Sequence, residues 1–299
     1  MVLAYAKSPK LEIAEYYRSR FARIAPAYYL ALFLFMLPIF TRGWGYDFLG
    51  LALNATMLQS WVPSKALSLN APGWSLSTEL LFYLLFPFLF NSIYKIRSFW
   101  LVAACGVAFF IFSQVTHNFL LKPLFYQGFP SASHDLVYYF PPMHLNEFIM
   151  GNIAGLFYMK YMANSSRANG PWIILSILAL LFCLKTPMGL SLHNGLLVIV
   201  FIPMILLICS DNGLFSRVMS LKPLVFLGEI SFGIYIFQMP VLIVSDSLLK
   251  RAGMADPTML FFTYLVILGI VSALSFNLIE TPLRRKINEF RIAPKPLAA

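Results

Sequence analysis

Apolar residues run along almost the whole chain in blocks bounded by short polar and basic stretches. The runs at 24–40, 74–94, 99–115, 143–159, 172–184, 189–209, 223–244 and 258–279 predict eight spanning helices. About 20 apolar residues at 1.5 Å each cover the ~30 Å of a bilayer's hydrocarbon layer. Residues 48–61 differ, because Asn54, Thr56 and Gln59 interrupt a short run, and they read as a re-entrant or interfacial segment. Ahead of the first span, Ala14, Tyr17, Phe21 and Ile24 recur at helical spacing. Ser8 can cap such a helix and Pro9 suits its first turn, so 8–23 is expected to be an amphipathic interfacial helix.

Composition turns this pattern into a class. With 60% hydrophobic and 11% charged residues and a mean hydropathy of +0.76, the chain has more apolar surface than a water-soluble core can absorb. The expectation is a single all-α membrane domain over 1–299, a polytopic transmembrane helical bundle at 24–285 with a tail at 286–299. The net charge of +10 sits at the ends of apolar runs, which argues for topology signals and against a nucleic-acid partner. With 48–61 not crossing, Arg42, Lys65, Lys122, Lys185, Lys250 and Arg251 fall on one side and the rest of the 22 basic residues on the other. The positive-inside rule then places both termini in the cytoplasm of a multi-pass plasma (inner) membrane protein. No apolar stretch long enough for a secretory leader precedes the first charges. Cys105, Cys183 and Cys209 lie singly inside apolar runs and form neither a disulfide framework nor a metal knuckle.

Against this background the polar positions stand out. On a helix starting near Trp74, the residues Ser75, Glu79 and Tyr83 share one face, and Glu79 lies roughly 7.5 Å below Trp74. An ionisable group at that depth needs water, substrate or a hydrogen-bond donor, although a structural carboxylate bonded to a neighbouring helix would have the same spacing. A second stripe is Gly228, Ser231, Tyr235 and Gln238, and a third is His144, Glu147, Gly151 and Gly155; close helix packing accounts for either as readily as chemistry does. Arg20 and Arg23 form an arginine pair at a membrane entry. Guanidinium forks match phosphate oxygens, and equally anchor to lipid headgroups.

Taken together, RSRFARIAP at 18–26, GWSLSTELLFYLLFP at 73–87, LGEISFGIYIFQMPV at 227–241 and IETPLRR at 279–285 resemble the acyltransferase-3 family of integral membrane O-acyltransferases. The resemblance implies transfer of an acyl group, most often acetyl, from a cytoplasmic acyl-CoA donor to hydroxyls of a carbohydrate or lipid-linked glycan of the cell envelope. It implies acyl-CoA (acetyl-CoA) as co-substrate, with no bound cofactor and no metal. By the same resemblance Arg20 and Arg23 serve the donor. Glu79 becomes a polar wall of the transfer cavity together with Ser75 and Tyr83, and Trp74, Ser77, His144, Glu147, Ser231, Tyr235 and Gln238 are further candidates to line the site.

The departures concern the base. Family domains carry two more helices at the N-terminal end, the first of them bearing the histidine taken as the catalytic base. Met1–Ala6 looks like the tail of the second, and none of His117, His134, His144 and His193 matches the family histidine. Many relatives also have histidine where this chain has Gln238. A chain without the base is expected to transfer at background rate, and His144, on one helix face with Glu147, is the fallback. Two other functions fit the same residues: a proton-coupled transporter using Glu79, Glu147 and Glu229, and a non-catalytic relative that binds donor without turnover.

Overall fold

The computed structural model describes residues 10–42, 45, 47–94, 97–186, 189–254 and 256–290. Ser8, Pro9, the Met1–Ala6 remnant and most of the expected C-terminal tail lie outside the described residues. In chain order the α-helices are α1 (Ile13–Arg42), α2 (Phe48–Ala55), α3 (Trp74–Leu89), α4 (Phe99–Leu120), α5 (Ala132–Tyr138), α6 (Leu145–Phe157), α7 (Gly170–Lys185), α8 (Val198–Cys209), α9 (Leu214–Met219), α10 (Lys222–Ile236), α11 (Gln238–Arg251), α12 (Pro257–Ser275) and α13 (Thr281–Glu289). Among the described residues there is no strand, and a single bridge links Arg167 to Asp211.

The expected eight spans become fewer. Among the described residues four helices are long and apolar enough to cross a membrane, namely Ile13–Ile39, Ala71–Tyr94, Phe99–Leu120 and Pro257–Glu289, and the pair α10 and α11, bent by 75°, would make a fifth. The run at 143–159 yields α6, continued by the π turn Tyr158–Met162 and not among the helices long and apolar enough to span, while those at 172–184 and 189–209 yield only α7 and α8, of 16 and 12 residues. At 1.5 Å per residue these reach about 18–24 Å, short of ~30 Å. Pro141 and Pro142 set a 3-10 turn ahead of α6, and the described residues between α7 and α8 are not helical. At the N-terminal end, the segment expected as a separate interfacial helix runs without a break into the first span as α1, which carries Pro26 and Pro38 inside it. Residues 48–61 form α2, only eight residues long, followed by the 3-10 turn Gln59–Trp61, too short to cross.

The described chain packs as two compact units. The first comprises Thr56–Leu67 and Trp74–Phe226, with Leu11. In its core α3 meets α6 through the stacked rings of Phe82 and Phe148, 4.7 Å apart at 7°, with Phe86 edge-on to Phe148 at 6.5 Å. Gly106 lets α4 approach α6, since a Cβ there would strike Ile153 and stand 3.2 Å from Ile149.

The second unit comprises Glu12–Ala55, Ser68–Gly73 and the chain from Leu227. The bend at Phe237 has a backbone cause. Pro240 has no N–H to give the Ile236 carbonyl four residues back, and the Asn70 amide supplies that bond at 2.9 Å. The Tyr235 hydroxyl donates to the Pro72 carbonyl at 2.9 Å, tying the same loop to α10. Farther along, the Tyr28 hydroxyl donates to the Asn54 carbonyl at 2.6 Å and holds α2 on α1.

Candidate active site

In the first unit the candidate residues gather around the start of α3. The 3-10 turn Ala71–Gly73 leads into Trp74, whose carbonyl accepts from the Ser60 hydroxyl at 3.0 Å. Ser77, fully buried, donates to the Met57 carbonyl at 2.6 Å and accepts from the Ser60 N–H at 3.3 Å. Both roles of that hydroxyl therefore serve the backbone of the segment 57–60, and since the Ser60 hydroxyl bonds the Trp74 carbonyl, Ser77 is placed to hold Trp74 in position. Alanine at Ser77 should cost about 1–3 kcal/mol of stability by leaving a buried backbone group unpaired. Thermal unfolding in detergent measures this, with donor affinity unchanged.

Two turns along the same helix, the Tyr83 hydroxyl donates to Glu79 Oε2 at 2.7 Å, the i, i+4 contact expected from the spacing. Ser75 lies on that face one turn earlier. Trp74 sits 5.4 Å from the His144 ring and 5.2 Å from Tyr139, and Phe82 stacks on Phe148, so Glu79 lies between these two contacts along α3.

His144 is buried and held at both ring nitrogens. Nδ1 lies 3.2 Å from Glu147 Oε1, and Nε2 lies 3.1 Å from the Tyr138 carbonyl. A carbonyl only accepts, so Nε2 carries a hydrogen, and a proton must also lie between Nδ1 and Oε1 for that contact to be favourable. The ring in this arrangement has no lone pair open to an incoming hydroxyl, which weakens His144 as the fallback base.

Sequence spacing did not reveal that all four histidines of the chain meet at Tyr138. The rings of His134, His193 and His117 lie 4.4, 4.9 and 6.0 Å from its ring, and His144 bonds its carbonyl. Burial holds both His134 and His193 below the ordinary imidazole range. His117 Nε2 reaches the Ser191 hydroxyl at 3.0 Å. Among the described residues no three His, Cys, Asp or Glu side chains are placed to hold a metal ion.

Asn194 locks the turn that supports this cluster. Its amide donates to the Val137 carbonyl at 2.6 Å, while its own carbonyl accepts from Asn146 at 3.0 Å and Gln114 at 2.7 Å. Gly195 follows at φ +92°, and a Cβ there would stand 2.7 Å from Glu147 Cγ and strike the Asn146 side-chain oxygen.

The remaining candidates belong to the second unit. The Arg20 guanidinium lies 5.5 Å over the ring of Tyr16 on α1, and Arg23, one turn on, is exposed. Ser231 donates to the Gly228 carbonyl of its own helix at 2.8 Å, and Tyr235 is committed to Pro72. Gln238 begins α11 just past the bend.

The Acyltransferase domain family matches residues 2–278, nearly the whole chain. The chain belongs to the acyltransferase-3 family. Its relatives include the acyltransferase MdmB of Streptomyces mycarofaciens, 26% identical over 99% of this chain and 81% of that protein. Another is the O-acetyltransferase OatA of Staphylococcus aureus, 21% identical over 99% of this chain. The acyltransferase-3 chain described here spans 51% of OatA, about half that relative's length. No solved structure matches it.

Proposed function

We propose that this acyltransferase-3 protein moves an acyl group, in the first place acetyl, from acyl-coenzyme A to hydroxyls of a carbohydrate or lipid-linked glycan at the plasma membrane. The observation that carries the reading is the Glu79–Tyr83 pair just below Trp74. In the reaction the acceptor oxygen attacks the thioester carbonyl, its proton leaves, and the carbon–sulfur bond breaks to release coenzyme A. Tyr83 occupies one oxygen of Glu79, and in this reading the other takes the substrate hydroxyl's proton in place of the family histidine, so the chain is active, against the expectation that a chain without that histidine transfers at background rate.

Arg20 and Arg23 suit the donor's phosphates, one steadied on Tyr16 and the other open to solvent. Changing both to alanine should weaken acetyl-CoA binding by about 10–100-fold, the weight of lost bonds to charged groups. The loss should be larger for coenzyme A than for dephospho-coenzyme A. Titrating both ligands against parent and variant tests the donor assignment, and undiminished affinity in the variant would overturn it.

A further inference from the structure

On the first unit, two adjoining cavities share Tyr94, Arg97 and Val102. The larger, about 520 Å³, has walls that are mostly apolar, among them Leu89, Ile93, Leu101, Phe109 and Ile149, with Cys105 and Gly106 on α4. The smaller, about 360 Å³, is lined by Phe90, Phe99, Leu156 and Lys160 among others. Two single turns of π-helix, Phe90–Tyr94 and Tyr158–Met162, contribute to the walls of this slot, the kind of local widening that re-aims side chains at functional sites.

Its polar lining is Ser92, Tyr94, Arg97 and Lys160, with two cations and no carboxylate among them. The Tyr94 hydroxyl accepts from the Asn152 amide at 3.2 Å and keeps its own hydrogen to donate. Arg97 is exposed, and Lys160 stands 5.7 Å over the ring of Phe99 and 5.4 Å over that of Tyr161. Among the described residues neither cation is paired with a carboxylate. Beside them Trp100 and Leu101 are 65% and 53% exposed, on a helix long and apolar enough to span, so the slot opens sideways toward hydrocarbon.

We propose that this slot binds an anionic glycerophospholipid, with its phosphate on Arg97 and Lys160, an ester oxygen on the Tyr94 hydroxyl and one acyl chain along α4 past Cys105. Two cations against one phosphate favour a lipid with net negative charge. The long apolar wall favours a lipid over a water-soluble phosphate, since each buried methylene adds to binding. The site is independent of the acyl-transfer chemistry.

Native mass spectrometry of the full-length protein, given equal phosphatidylglycerol and phosphatidylcholine of the same chains, tests this. The expected preference for phosphatidylglycerol is roughly 10–30-fold, the weight of two surface cations on an anionic lipid. It should fall to near parity in Arg97→Gln with Lys160→Gln. Cys105→Trp, which fills the chain slot, should weaken both lipids alike. Glycerol 3-phosphate, a headgroup without chains, should not bind. If a variant unfolds, the reaction of Cys105 with N-ethylmaleimide in a Cys183→Ser, Cys209→Ser protein gives the same readout, since phosphatidylglycerol should protect it more than phosphatidylcholine does. Parity in the parent, an undiminished preference in the double variant, equal protection by both lipids, or binding of glycerol 3-phosphate would each overturn the assignment.

Discussion

Alanine at Gly195 should lower stability by roughly 2–5 kcal/mol and disable the His144–Glu147 pair with it. The residue has φ +92°, which costs an L side chain energy before any contact is made. The added methyl then meets Glu147 Cγ at 2.7 Å and the Asn146 oxygen as well, so either the turn or the start of α6 must move. Movement of Asn146 would also break its bond to the Asn194 carbonyl. Gly189 supplies the control: it too has a positive φ, +66°, but nothing lies within 4 Å of a Cβ there, so Gly189→Ala should cost only the backbone share, about 1–2 kcal/mol. Unfolding midpoints of the two variants in one detergent make the comparison, and equal losses would remove the packing role assigned to Gly195.

Glu79→Gln should lower kcat by about 10²–10⁴-fold with little change in KM for the donor, the usual contribution of a proton-accepting group. The amide fills the same space and its oxygen can still accept from Tyr83, but it cannot take a proton. Tyr83→Phe should cost far less, about tenfold, because it removes one hydrogen bond to the carboxylate and leaves the charge in place. Initial rates at matched membrane insertion measure both, and parental activity in Glu79→Gln would reduce Glu79 to a packing residue.

Much of this arrangement was readable from residue spacing. The start of α3 at Trp74 and the Glu79–Tyr83 contact follow from helical periodicity alone, and both are present. The span count failed because an apolar run reports burial without reporting where the backbone stops being helical. Irregular backbone is tolerated when protein groups satisfy it, as the Asn146 and Gln114 amides do for Asn194 and the Asn70 amide does for Ile236. The family resemblance makes Ser77 and Tyr235 candidates to line the site. Each hydroxyl donates to a backbone carbonyl, of Met57 and Pro72, and no sequence period links those partners. The meeting of His117, His134, His144 and His193 at Tyr138 was equally hidden, since it depends on the turn around Asn194.

Acetyl-CoA labelled in its acetyl group, supplied to membrane vesicles carrying the full-length protein and a hydroxyl-bearing envelope glycan, decides whether ester formation depends on Glu79. The predicted result is alkali-labile label on the glycan that requires both donor and protein, reduced by about 10²–10⁴-fold in vesicles matched for Glu79→Gln. Ester label formed equally by Glu79→Gln, or no label at any donor concentration from correctly inserted protein, would contradict it.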